Sequence, residues 1–160
     1  TKGVHLVVKL AKKVGFKLLL AGIIDTVDQD FFDKEIKPYL SNDIQYLDNL
    51  GEQKKELLKN ARGLLHLTTT SEAFGLTLIE AMACGTPVIG MNRGSIPEVI
   101  EDKKTGFVIN NIEEAEEAIK KIDSIKRIDC RQRVENNFSL EKMLDGYEKV
   151  YQDILSLPRE

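Results

Sequence analysis

The sequence predicts an α/β domain built on a doubly wound parallel sheet of about five strands. Two observations carry this. Short apolar runs alternate with amphipathic stretches along much of the chain, the pattern of successive βαβ units. The runs themselves are apolar throughout rather than alternating, as in strands buried on both faces. The length, 160 residues, suits one ordinary domain and needs no disulfide or metal staple.

The elements follow in order. Residues 4–13 place Leu6, Val7, Leu10 and Ala11 on one face of a helix. Residues 16–21 (FKLLLA) form an apolar strand that ends at Gly22. Residues 30–40 read as a helix with an acidic start and Pro38 near its end, 44–47 as a short strand, and 52–61 as a charged helix. A third strand covers 64–68 (LLHLT). An apolar helix over 76–84 is stopped by Gly85, and a fourth strand covers 87–91 (PVIGM). A short helix over 97–101, with Ser95 and Glu98 spaced as a capping box, leads to a fifth strand at 106–109. Helices dominate the remainder. Glu113, Glu114, Glu116 and Glu117 precede Lys120 and Lys121, the order that complements a helix dipole. Ser139 is suited to cap a final amphipathic helix over 139–155.

Charge and composition exclude several partners. The net charge is −3, without the basic excess of a nucleic-acid binder. Cys84 and Cys130 lie far apart, and His5 and His66 are the sole histidines, so no metal-ligand spacing occurs and ordinary packing roles are expected for all four. No apolar run approaches the ~20 residues of a membrane span, and no signal peptide is visible. The expected compartment is cytoplasmic.

Parallel α/β sheets bind ligands at the carboxyl ends of their strands, and the loop after the third strand stands out. Of the twenty residues between Glu72 and Arg93, one is charged, Glu80. It lies on a helix apolar on nearly every side, which reads as buried. An ionised carboxylate there needs a partner, yet its neighbours one turn away are Leu76, Thr77, Ala83 and Cys84. The expected partner is a ligand or another loop, backbone amides of a neighbouring loop included. Phe74, Gly75 and Leu76 open this helix. Gly75 permits close approach, and the free first-turn amides suit a phosphate or diphosphate. Glu72, just before, can accept sugar hydroxyls or simply stabilise its own helix. Amides for a diphosphate flanked by carboxylates for hydroxyls match a nucleotide sugar. The Thr68–Thr69–Thr70–Ser71 hydroxyls are a weaker signal, and the acidic tract around Glu113 reads as a solvated face.

The stretch SEAFGLTLIEAMACGTPVIGMNRGSIPEVIEDKKTGFVI closely resembles the donor-site signature of glycosyltransferase family 4 (group 1), whose enzymes have the GT-B fold. Glu72 and Glu80, eight apart, resemble that family's E-x7-E motif. The segments from Cys84 to Ile89 and from Gly94 to Glu98 match in type and spacing, and Lys2-Gly3 resembles the family's opening "KG". The resemblance implies that Glu80 binds the donor ribose and that Glu72 contacts the transferred sugar near the reacting carbon as the catalytic candidate. It implies that the backbone of Phe74, Gly75 and Leu76 holds the diphosphate. Lys2, by its composition a solvated lysine, would by the same resemblance neutralise diphosphate charge in place of a metal. The loop containing Gly94 and Ser95 would lie near the donor.

The same resemblance implies a Rossmann-like half of a GT-B fold in which residues 1–160 are the C-terminal donor-binding domain. The family's first strand, an Arg before the "KG" lysine and the N-terminal acceptor domain would then lie outside this sequence. The whole enzyme would transfer sugar with retention, without metal or cofactor, to an acceptor sugar, lipid or other hydroxyl compound, with peripheral membrane association open to it. The isolated domain would be inactive. The alternative is a stand-alone nucleotide-sugar-binding module without catalysis. A dinucleotide-dependent dehydrogenase is excluded by the lack of GxGxxG.

Overall fold

The computed structural model describes residues 2–157. Its strands are β1 (Leu18–Ala21), β2 (Ile44–Leu47), β3 (Leu64–His66), β4 (Val88–Met91) and β5 (Gly106–Ile109). Its α-helices are α1 (Val4–Val14), α2 (Gln29–Glu35), α3 (Gln53–Asn60), α4 (Leu76–Ala83), α5 (Ile96–Val99), α6 (Ile112–Lys121), α7 (Arg127–Asn137) and α8 (Leu140–Ser156).

All strand pairing is parallel, as the uninterrupted apolar runs require. The strands form two ladders rather than one continuous sheet: β1 pairs with β2, and β4 lies between β3 and β5. α1 spans the two ladders, because its buried Val7, Val8, Leu10 and Ala11 share one core with Leu18 of β1, Ile44 of β2 and Ile89 of β4. The double winding is visible on β4 itself. Ile89 and Met91 face the core under α1 and α6, whereas Val88 faces a second core built by α4, α5 and α7. Successive strand residues point to opposite faces, so an all-apolar strand feeds two cores at once. Complete burial of β4 follows.

Several elements differ from expectation in instructive ways. The helix expected over 30–40 breaks into α2 and a 3-10 turn, Lys37–Tyr39. Pro38 disfavours helical backbone in the residue before it and removes a donor. The third strand stops at His66 rather than residue 68, because Thr68 turns the chain: its buried hydroxyl accepts from Thr70 N and donates to Thr70 O. The Ser95–Glu98 capping box does not form. Ser95 is in the helical region rather than extended, makes no side-chain cap bond, and its Oγ is buried without a partner among the described residues.

Helix α7 carried no distinct sequence signal, since its RIDCRQRVENN has only Cys130 and Val134 to bury. It is held instead by polar side chains. Arg127 donates from Nη1 to Ala61 O at 2.9 Å, and from Nη2 to Lys59 O at 2.5 Å and Thr86 Oγ1 at 2.8 Å. Lys59 O and Ala61 O lie at the C-terminal end of α3, where the last carbonyls have no intrahelical donor. α6 is capped by a pair not foreseen as a cap: Asn111 Oδ1 accepts from Glu114 N at 2.8 Å, and Glu114 Oε1 accepts from Asn111 Nδ2 at 3.0 Å. Ser139 caps α8 as expected, accepting from Lys142 N at 3.3 Å. No residue of α8 is buried.

Candidate functional site

Three polar side chains meet at the carboxyl end of β3. Glu72 Oε2 accepts from Lys2 Nζ at 3.0 Å and from His66 Nε2 at 2.9 Å. Both bonds fall on Oε2; among the described residues none falls on Oε1. The Glu72 and His66 side chains are 12% and 13% exposed, whereas Lys2 is 69% exposed and reaches in from solvent. The Lys2 ammonium, and secondarily the His66 ring, hold the Glu72 carboxyl below its ordinary range despite the opposing effect of partial burial.

Two glycines bring this cluster together. At Gly3, whose φ is +74°, a Cβ would stand 1.7 Å from Leu67 O, so only glycine lets the start of α1 touch the end of β3 and place Lys2 there. At Gly94, with φ +60°, a Cβ would stand 2.1 Å from Glu72 O. The Gly94 loop pairs with Glu72 as a parallel bridge, and Ser95 N donates to Glu72 O at 2.9 Å. The SIPE segment therefore acts on Glu72 through its backbone.

Glu72 leads into α4, and its Cγ lies 3.6 Å from where a Cβ of Gly75 would be. At the helix start, Leu78 N is bonded to Gly75 O at 2.9 Å. The amides of Leu76 and Thr77, in the first turn, precede any intrahelical acceptor. Phe74 and Leu76 are more than half exposed beside them. Lys2, Glu72, Phe74, Gly75 and Leu76 thus cluster around the β3–α4 junction.

Glu80 corrects the sequence reading. α4 is not buried all round: Leu78, Ile79, Ala81 and Met82 face the core, while Leu76, Thr77 and Glu80 face outward. The outward face keeps one large apolar residue, Leu76, which is 65% exposed. Glu80 is 46% exposed and accepts from Lys54 Nζ of α3 at 2.5 Å, so neither a ligand nor a loop amide is needed to satisfy it. Lys54 and His66 are the residues that sequence reasoning missed. Each partner comes from a different element, at separations no local pattern encodes. His66 is six residues before Glu72, and only the turn at Thr68 folds it back.

Among the described residues no group of three His, Cys, Asp or Glu side chains could hold a metal ion, and no helix is long and apolar enough to cross a membrane. An open groove between β5 and α6, lined by Phe107, Glu113 and Glu117 among others, shares none of the site residues.

A parallel α/β domain with polar side chains and a helix N-terminus gathered beyond the strand ends has the layout of the open-sheet class. The particular family follows from comparison: the chain belongs to the family described as Glycosyl transferases group 1, whose profile matches residues 1–138. The trehalose synthase of Pyrococcus horikoshii is 30% identical over 164 aligned positions, covering 91% of this chain and 40% of that protein. The N-acetyl-alpha-D-glucosaminyl L-malate synthase of Bacillus anthracis is 37% identical over 100 residues, 58% of this chain and 26% of that one. Among solved structures, a Rickettsia africae glycosyltransferase superposes with TM-score 0.82 at 30% identity, covering 98% of this chain and 45% of that chain. Anabaena HepE, solved with UDP and glucose, superposes with TM-score 0.76 at 20% identity, covering 98% and 45%. These neighbours have the GT-B fold, and the chain matches less than half the length of each.

Proposed function

We propose that this chain is the donor-binding half of a sugar transferase and that the β3–α4 junction binds a nucleoside-diphosphate sugar. The observation that carries the proposal is the Glu72 carboxylate fixed beside the free amides that begin α4. Anionic oxygens of the diphosphate bind the Leu76 and Thr77 amides, where unsatisfied N–H groups and the helix dipole favour negative charge. Lys2, whose ammonium reaches Glu72 from solvent, turns toward the same charge. Glu72 accepts a hydroxyl of the transferred sugar near its reacting carbon. Glu80, on the outward face of α4, takes the ribose hydroxyls and exchanges Lys54 for them.

In the whole enzyme, the anomeric C–O bond to the diphosphate breaks as an acceptor hydroxyl attacks from the same face and gives its proton to the departing diphosphate oxygen, and configuration is retained. Stabilising the departing diphosphate with fixed amides and an ammonium supplies the larger share of catalysis, with no metal. A second domain holding the acceptor closes the cleft and supplies the positioning. The isolated domain binds donor without turning it over.

Calorimetry on the 160-residue chain with UDP, GDP, UDP-glucose and GDP-mannose tests this reading. Binding of at least one pair, weakened about tenfold or more by Glu80→Gln, is expected from loss of a charged hydrogen bond. Absence of binding to every probe refutes the donor-site assignment. Anomeric analysis of the product by NMR decides retention in the whole enzyme.

A further inference from the structure

We propose that His66 is a positioning residue that anchors Glu72 so that Lys2 is free to leave it for the donor's diphosphate. This rests on the nucleotide-sugar reading above and adds a residue to it. His66 ends β3, pinned in the ladder opposite Gly90, and its ring is mostly buried. Nε2 lies 2.9 Å from Glu72 Oε2. An ionised carboxylate only accepts, so Nε2 carries the proton and donates.

Lys2 makes the second bond to the same oxygen from a very different position. Its stem is flexible and its ammonium mostly in solvent. A long lysine side chain exchanges partners readily, whereas a ring fixed in a strand does not. If Lys2 alone held Glu72, its turn toward a diphosphate would release the carboxylate at the moment the sugar needs it. With His66 present, one bond to Oε2 survives that turn, and Oε1 stays available to a sugar hydroxyl. Lys2 supplies the countercharge and His66 a hydrogen bond to a carboxylate that is only 12% exposed.

The test compares His66→Phe, which keeps the ring's bulk without its donor, with His66→Gln, whose terminal amide restores a donor close to the Nε2 position. Two readouts on the 160-residue chain separate a positioning role from a packing one. The first is the affinity gain contributed by the sugar, read as the ratio of UDP to UDP-glucose and of GDP to GDP-mannose dissociation constants. His66→Phe should erase about tenfold of that ratio, the worth of a hydrogen bond to a charged group. His66→Gln should restore it. The second is the Glu72 carboxyl titration followed by carbon-detected NMR, which should move upward in His66→Phe and return in His66→Gln without any ligand.

An unchanged sugar ratio in His66→Phe overturns the proposal even if nucleotides bind. Equal losses in Phe and Gln variants overturn it in favour of packing. An unmoved Glu72 titration shows that the contact does not hold the carboxylate and overturns it too. If no probe binds the wild-type chain, the nucleotide-sugar reading fails and the donor role of His66 fails with it, while the titration still reports separately on the contact.

Discussion

Replacing Gly94 with Ala perturbs the site without touching any side chain in it. The new Cβ would lie 2.1 Å from Glu72 O and 2.6 Å from Glu72 N, against backbone rather than a yielding side chain. An ordinary carbon–oxygen contact is over 3 Å, so the loop must retreat by about 1 Å, beyond the softness of van der Waals contacts. Left-handed backbone at φ +60° costs a non-glycine residue ~1–2 kcal/mol. Retreat also breaks the 2.9 Å bond from Ser95 N to Glu72 O, worth about 1 kcal/mol. Together these come to about 3 kcal/mol, or a fall in Tm of roughly 6–12 °C for a domain of this size. Differential scanning calorimetry reads this directly. Donor binding should suffer as well, since a displacement of about 1 Å in a positioning group can cost roughly 100-fold in rate in the whole enzyme. Gly146→Ala is the control. It lies within α8, and a Cβ there meets nothing within 4 Å, so it should stabilise by about 0.5–1 kcal/mol. A Gly94→Ala chain melting within 2 °C (about the effect of 0.5–1 kcal/mol) of wild type would refute the reasoning.

Three further outcomes follow from particular contacts. Lys2→Met removes the main cause of the depressed Glu72 carboxyl. A lowered folded pKa contributes stability that is full above the ordinary value of 4.5 and lost as pH falls through the folded value; the variant should therefore show less acid-side loss between pH 7 and 3 (a range about 4.5) in urea melts. Cys130 is fully buried, burial pushes its thiol up to about 11, and it donates to Thr105 O. Cys84 is only partly buried. A thiol reagent at neutral pH should accordingly label one cysteine in the native chain and two in denaturant, as mass spectrometry would show. Arg127→Lys keeps charge but loses the forked contact to Lys59 O, Ala61 O and Thr86 Oγ1. A loss of about 1–3 kcal/mol in urea unfolding is expected.

Glu72 and Glu80 show how differently two glutamates eight residues apart fare. Glu72 lies beyond the carboxyl end of β3, where the strand-end logic put it. Glu80 was singled out for the wrong physical reason. Its helix is apolar in composition, but composition does not say which side of an apolar helix meets the core. The outward face of α4 retains Leu76 beside Glu80, and the partner that composition could not supply is Lys54 on α3.

The sequence alone determined the strand-and-helix alternation, the parallel pairing and the loop in which the polar groups collect. Those depend on periodicity, Gly and Pro placement and strand length, all local properties of the chain. Only the tertiary structure decided that the strands split into two ladders, that α7 is tied down by Arg127, and that Lys2 and His66 share one oxygen of Glu72. Each of these brings together residues distant in sequence or turned back by a loop, and no local energy records which distant groups a closed chain will place within 3.0 Å of each other. The glycines hold the boundary between the two. Gly3 and Gly94 are visible in the sequence as ordinary punctuation, and only the packed backbone shows that both are spaces kept open for the ends of β3 and the carbonyl of Glu72.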